Sequence, residues 1–495
     1  MDGKDIKVKD ILRICDANLA FGDEEIVCQN FSKDTRTINE NDVYVGIKGE
    51  NFDGNSLYVQ AFEKGAMVCI VQGVEVDDTV KDKYGDRCLI IVKDTIVALQ
   101  KIASYKRELY DIPVIAVTGS VGKTSTKDII SSVVSTSYNV LKTQGNLNNH
   151  IGVPMTILGL KDHNALVVEM GMNNLGEISV LSEIAKPNIA VITNVGTSHI
   201  GNLGSRENIL KAKLEILDGL KDNGVLIINN DNDLLHKWSS EWQDKWSNAC
   251  LDNNPGMCFR EQSECKDEGN CRDSKNLNIR TYGIENISDV IAKDIVLNEN
   301  SSTFTVQFKE NNIIEKVNVP IGGLHFVYNA LCAIMVGKVL NIPMEKISEG
   351  IQNFELSKNR MELINIPNNI VLINDCYNAN YDSMKAGIEY LAKTKAQRKI
   401  AVLGDMLELG EFSEKLHTEV GNEVLKNKID VLITVGKMAE NIANIVKISN
   451  PNVYICKNNS EATEKIKSIM HENDIILIKA SNGMKFKEIV DELKK

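Results

Sequence analysis

No stretch of this chain is apolar for long enough to cross a membrane, and Met1 to Asp10 hold no apolar core of the kind a secretion signal needs. The expectation is a cytoplasmic protein without a membrane span. An excess of positive charge is also missing. Fifty-six Lys and Arg against 68 Asp and Glu give a formal net charge of −12, which disfavours general affinity for nucleic acid and favours a small-molecule partner. The 11 cysteines are odd in number and contain no Cys-x-x-Cys pair. Most lie in apolar surroundings, as at Cys69, Cys88 and Cys332, which fits reduced, buried thiols better than a disulfide framework. What is present, 43% hydrophobic and 25% charged residues, describes an ordinary globular chain, neither fibrous nor disordered. Its 495 residues suffice for about three domains.

Three α/β units are expected. Residues 1–110 mix short strand-like runs (Val43 to Ile47, Met67 to Val71, Leu89 to Val92) with helical patches. Residues 111–355 alternate apolar runs at Val114 to Val117, Ala165 to Val168, Ile189 to Thr193 and Val225 to Asn229 with amphipathic helices, which predicts a parallel sheet with crossover helices. Residues 356–495 alternate most regularly, with strands near Ile370 to Ile373, Ile400 to Leu403, Val431 to Val435, Val453 to Ile455 and Ile475 to Ile478. This third unit looks doubly wound, yet no Gly-x-Gly-x-x-Gly turn follows its first strand, so a dinucleotide site is not indicated there. Trp238, Trp242 and Trp246 recur every four residues, a helical stripe that predicts packing on the body. Residues 247–276 read as a surface insertion, and Cys250, Cys258, Cys265 and Cys271 within it are a weak pattern for zinc.

The most informative stretch is Ile115 to Thr126. An apolar run breaks into Thr118-Gly119-Ser120-Val121-Gly122-Lys123-Thr124, with Ser125 opening a helix. Backbone N–H groups around the two glycines can surround phosphate oxygens, Lys123 can neutralise the outer phosphates, and the Thr124 hydroxyl can bind Mg²⁺. The usual phosphate loop carries a further glycine where this chain has Val117, so the loop is a shortened form. All strands of a parallel sheet end at one edge, where ligands collect. Glu169 follows one strand and Asn194 another, with His199 five residues on, so polar groups from three strand ends converge. Glu169 and His199 suit divalent cations bound to phosphate. The amide-rich segment Thr143 to Pro154 reads as a functional loop at the same edge. Lys211 and Lys213, on a helix expected from Glu207 to Leu220, read as solvated surface lysines.

Taken together, Thr118 to Thr124, Gly145-Asn146-Leu147-Asn148-Asn149, Glu169-Met170-Gly171, Thr193-Asn194 with His199, and Gly323-Leu324-His325 with Asn329 resemble the Mur ligase family. The resemblance runs nearly end to end and includes Asp34-Thr35-Arg36 and Gly49 to Gly54, which look like a uridine-nucleotide-binding domain. Asp375 to Asn380 and Leu403 to Gly410, with Ser413 and His417, resemble the members that add D-alanyl-D-alanine. The implied activity is an ATP- and Mg²⁺-dependent ligation of D-alanyl-D-alanine to UDP-N-acetylmuramoyl-tripeptide through an acyl phosphate, by a monomer. Rival readings are another ligase of the family, adding a diamino acid or acting on a folate, and a catalytically silent nucleotide-binding paralogue.

By matching position, the resemblance gives ATP to Gly119, Ser120, Val121, Gly122, Lys123, Thr124, Ser125, Asn329, Arg360 and Asp375. It gives one metal to Thr124 and Glu169 and a second to Glu169 and His199, with Lys213 carbamylated in support, against the surface reading above. It gives substrate to Asp34, Thr35, Arg36, Asn146, Asn148, Asn149, Tyr377, Asn378 and Asn380. The chain departs from the family at Lys479-Ala480-Ser481-Asn482, where members usually carry Lys-Gly-Ser-Arg, and in the 247–276 insertion.

Overall fold

The computed structural model describes residues 4–49, 52–251, 277–310 and 312–495, without the side chains of 244–251. It holds three α/β units, each built on its own sheet. The main sheet of the N-terminal unit has five strands, beside a two-stranded antiparallel pair of Ile6–Lys7 and Val27–Cys28. Phe31–Ser32, Val43–Val45, Val68–Val71 and Cys88–Ile91 run parallel, and Asn18–Phe21 pairs antiparallel with the last.

The central sheet has nine strands and is not wholly parallel, which corrects the expectation. Val140–Lys142, Ala165–Glu169, Val114–Thr118, Ile189–Ile192, Val225–Asn229, Asn278–Gly283 and Val290–Leu297 form the parallel run. Ser302–Phe308 and Ile314–Val319 then extend it as an antiparallel meander. The phosphate-loop strand lies in the middle, between Ala165–Glu169 and Ile189–Ile192. All five of its residues are buried, as expected for a strand covered by helices on both faces. The helix Lys123–Ser135 that follows packs on Leu324–Val339 and Met344–Gln352.

The C-terminal sheet has the order Glu362–Ile366, Ile370–Asn374, Asp474–Lys479, Arg398–Gly404, Val431–Val435, Val453–Cys456. Five strands are parallel as expected, and Glu362–Ile366 adds an unforeseen antiparallel edge.

The two connections between units are built differently. At the end of the helix Thr95–Glu108, buried Arg107 donates to the carbonyls of Tyr110 at 2.6 Å, Ala185 at 2.8 Å, Lys186 at 3.3 Å and Ile112 at 3.5 Å. One guanidinium thus joins the N-terminal helix, the connecting segment and a central-unit turn. At the other connection Asp128 of the phosphate-loop helix accepts from Ser357 N at 3.0 Å and Ser357 Oγ at 2.8 Å.

Trp238 and Trp242 stack on one face of the helix Asp233–Leu251 with ring centroids 6.1 Å apart, and both pack inward as the stripe predicts. The described cysteines Cys15, Cys28, Cys69, Cys88, Cys332, Cys376 and Cys456 are free and buried. The cysteine insertion lies outside the described residues apart from its first part, 247–251. Glu50 and Asn51 of the Gly49 to Gly54 segment also lie outside them. Among the described residues no helix is long and apolar enough to cross a membrane.

Candidate active site

Gly119 leaves the central strand with φ +151°, and a Cβ there would meet Thr193 Oγ1 at 1.9 Å, so only glycine fits. Gly122 takes φ +79° and caps the helix Lys123–Ser135, whose first N–H groups have no partner within the helix. The loop between is braced from the neighbouring strand end. Ser120 N donates to Asn194 O at 3.0 Å and Val121 N to Asn194 Oδ1 at 2.9 Å, while Thr193 Oγ1 and Asn194 Nδ2 both donate to Val121 O. Gly196 N donates to Ser120 Oγ and Ser198 Oγ to Ser120 O, each at 2.9 Å. The segment carrying His199 therefore also holds the phosphate loop in shape.

Thr124 Oγ1 donates to Glu169 Oε2 at 2.8 Å, and Asn148 Nδ2 donates to Glu169 Oε1 at 2.8 Å. Glu169 is buried at its strand end. Lys123 Nζ rests on Gly119 O at 2.8 Å. Burial lowers the Lys123 pKa from its usual value; Glu169 opposes this and Arg360 adds to it. His199 sits at the start of the short helix Ile200–Leu203 with φ +61°, and its Nδ1 lies 2.7 Å from Glu408 Oε2 of the C-terminal unit.

Lys213 is not a surface lysine. Its helix, Arg206–Leu214, ends earlier than expected, and the side chain is 2% exposed. Burial pushes its pKa well below the usual lysine range, and the nearby charge of Lys123 lowers it further.

A cavity of about 310 Å³ is lined by Ser120, Val121, Gly122, Lys123, Thr124, Asn146, Asn148, Asn149, Glu169 and His199 of the central unit. Arg360, Tyr377, Asn378 and Asn380 of the C-terminal unit close it. The Arg360 guanidinium lies over the Tyr377 ring, 4.0 Å from its centre, and has a buried Nε without a partner among the described residues. A second cavity of about 160 Å³ shares Val121, Gly122, Arg360 and Asn378 as walls and adds Ser125, Asn329 and Asp375. Asn329 Oδ1 accepts from Thr126 Oγ1 at 3.0 Å, and Asp375 is ion-paired with buried Lys479 at 2.5 Å.

Five expected residues line neither cavity. Gly119 shapes the loop, and Lys213 is buried in its own helix. Asp34, Thr35 and Arg36 form a short helical turn on the N-terminal unit, where Arg36 clasps Asp34 with contacts of 2.6 to 3.1 Å. Asn482 is exposed and lines neither cavity, while the methyl group of Ala480 is accommodated opposite Gly404.

The structure adds walls that sequence reasoning missed. Ser198, Ser383 and Glu177 face the first cavity; Asn229, Tyr282, Phe326 and Tyr328 face the second. Asn229 ends a parallel strand and obeys the same edge rule that found Glu169. Tyr282 lies on a strand of the parallel run that was not expected; only the meander two strands further on has a clear signal, the regular alternation of Ser302 to Phe308.

Comparison with known proteins gives a consistent result. Residues 117–254 and 263–337 match the Mur ligase middle domain, and residues 359–482 match the Mur ligase, glutamate ligase domain. The chain is 37% identical to UDP-N-acetylmuramoyl-tripeptide--D-alanyl-D-alanine ligase of Bacillus subtilis (strain 168), covering 98% of each sequence. It superposes on a crystal structure of MurF from Acinetobacter baumannii with a TM-score of 0.82 at 26% identity, covering 99% of both chains. It shares the fold of the MurF ligase from Thermotoga maritima, solved in complex with ADP, with a TM-score of 0.76 at 24% identity and coverage of 94% and 97%.

Proposed function

Because this chain belongs to the Mur ligase family, we propose that it joins D-alanyl-D-alanine to UDP-N-acetylmuramoyl-tripeptide, converting ATP to ADP and phosphate. The observation that carries this reading is the two-walled cavity. Phosphate loop, Glu169 and His199 form one wall, and Arg360 and Tyr377 from another unit form the other. The division into a uridine-nucleotide unit at 1–110, an ATP unit at 111–355 and a closing unit at 356–495 follows the same reading.

In this reading ATP lies across both cavities. Its base and ribose occupy the one lined by Asn329 and Asp375, and its phosphates reach the helix start at Lys123. A carboxylate oxygen of the tripeptide bonds to the γ-phosphorus as the bond to ADP breaks, giving an acyl phosphate. The dipeptide amine then bonds to the carbonyl carbon, and phosphate leaves. Charge develops on phosphate oxygens in both steps, and Lys123, Arg360 and the helix N–H groups are the chain's fixed counter-charges. The Tyr377 ring, 4.0 Å from the Arg360 guanidinium, limits the cation's freedom before substrate arrives.

The donor set fits Mg²⁺. Thr124 and Glu169 present hard oxygen atoms side by side, and His199 lines the same cavity. Among the described residues no group of three or more His, Cys, Asp or Glu side chains is placed to hold a metal, which suits a cation that takes the rest of its shell from phosphate and water. Bound there, Mg²⁺ supplies positive charge to the phosphate oxygens. Lys213 supports the second position: a neutral buried amine can add CO₂, releasing a proton and leaving an anionic carbamate beside Lys123.

The test is purified protein with ATP, Mg²⁺ and UDP-linked tripeptide, offered D-alanyl-D-alanine or a diamino acid in separate reactions. Phosphate release and a product mass gain are expected only with the dipeptide, and neither with Lys123→Ala. Turnover with the diamino acid alone, or unchanged turnover in the variant, refutes the reading.

A further inference from the structure

Glu408 lies in the C-terminal unit, in the loop that follows the strand Arg398–Gly404, yet its carboxylate is 2.7 Å from Nδ1 of His199 in the central unit. The loop is fastened at successive residues. Met406 N donates to Nε2 of buried His417 at 2.9 Å, and Leu407 N donates to Ser481 Oγ at 2.9 Å. Glu408 itself takes φ +63°, a conformation rare for a residue with a side chain, and its carbonyl accepts from Gly201 N at 3.2 Å. Glu408 thus meets the His199 segment twice: its carbonyl is hydrogen-bonded to Gly201, and its carboxylate pairs by proximity with His199 Nδ1, a buried nitrogen with no aligned hydrogen-bond partner of its own among the described residues. Gly201 permits the approach, since a Cβ there would meet Glu408 O at 2.7 Å.

A carboxylate on Nδ1 fixes that nitrogen as the protonated one, turns the ring, and leaves the Nε2 lone pair for a cation. We infer that Glu408 is a positioning residue for His199, delivered by the C-terminal unit, so that the cation site holding His199 is completed only when that unit seats on the central one. The inference rests on the proposed role of His199 as a ligand and goes beyond it by assigning the carboxylate that orients the ligand and the unit that brings it. It also gives closure a chemical consequence. ATP can meet the phosphate loop of an open molecule, but the full cation set forms only once the third unit is in place.

The test uses the full chain with ADP and Mn²⁺, following bound Mn²⁺ by electron paramagnetic resonance and ADP affinity separately without metal. Glu408→Ala is expected to weaken Mn²⁺ binding by about 10- to 100-fold, the range for losing a carboxylate behind a metal-bound histidine. ADP affinity without metal stays within about twofold, because Glu408 touches no part of the phosphate loop. Glu408→Gln recovers part of the loss, since its amide oxygen can still accept from Nδ1–H. Asp382→Ala is the comparison: it removes another contact across the same interface, to Thr197 N at 3.1 Å, without touching His199. Equal losses in Glu408→Ala and Asp382→Ala, or wild-type Mn²⁺ affinity in Glu408→Ala, overturn the inference. His199→Ala separates the two levels: if it leaves Mn²⁺ binding intact, the ligand reading fails and this inference with it. If it weakens binding while Glu408→Ala does not, the ligand reading stands and this inference alone fails.

Discussion

Lys213 shows how far a side chain's chemistry depends on burial. A lysine in water is charged at neutral pH, whereas this one is pushed well below its usual range by desolvation and by Lys123. Arginine cannot be deprotonated there, so Lys213→Arg is expected to lower kcat by about 100-fold or more, read as phosphate release. A ¹³C-labelled carbamate resonance is expected in the wild type under labelled CO₂ and not in the variant; its absence from the wild type would refute carbamylation. His325 gives a pH prediction. Burial pushes it down to about 4, so between pH 6.5 and 4 the unfolded chain binds the extra proton and the folded chain does not. Stability therefore falls as pH drops through that window, by up to about 3 kcal/mol for this group. His325→Gln should flatten that part of the curve in denaturant midpoints. Lys123, Thr124, Glu169 and His199 were legible as residues because loop chemistry and strand ends mark them. The burial of Lys213 was not, because a polar helix sequence does not say which turn faces the core.

Among the elements, the turn at Asp231 organises the wall of the second cavity. Its carboxylate accepts from the N–H groups of Ile284 at 2.5 Å, Glu285 at 3.1 Å and Asn286 at 2.7 Å, and from Tyr328 OH at 2.9 Å. It ties a strand end, a turn and the helix Leu324–Val339 together, and Gly283 leaves room for it, since a Cβ there would lie 2.9 Å from Asp231 Oδ1. Asp231→Ala strands four donors and is expected to cost about 2–4 kcal/mol in denaturant unfolding. Because Tyr282 and Tyr328 line that cavity, the KM for ATP should rise with kcat nearly unchanged; a fall in kcat alone would count against this placement. The parallel strands were legible as apolar runs. The antiparallel strands Glu362–Ile366 and Ile314–Val319 were not expected, since they are half-exposed and read as mixed polar sequence. Tertiary pairing decides such strands more than their own composition.

Across the whole molecule, Asn380 meets Ser198, Asp382 meets Thr197, Glu408 meets His199, and Tyr390 OH donates to Glu299 O at 2.9 Å. These contacts seat the C-terminal unit against the central one. Water exclusion around an acyl phosphate favours such closure, while entry of substrates requires its release. The radius of gyration from small-angle scattering is therefore expected to be larger without ligands than with a non-hydrolysable ATP analogue and UDP-tripeptide. An unchanged value would refute rotation of residues 356–495.

The two connections respond differently to such movement. Arg107 locks the N-terminal connection to four carbonyls, whereas the C-terminal one rests on Asp128 and Ser357. The more heavily bonded joint favours a constant span between Asp34-Thr35-Arg36 and the phosphate loop. With a uridine diphosphate held at one end of it, as proposed, that span works as a ruler for the peptide. A substrate one residue shorter leaves its carboxylate roughly 3.5 Å from where the γ-phosphate waits, a gap that swinging the third unit does not close.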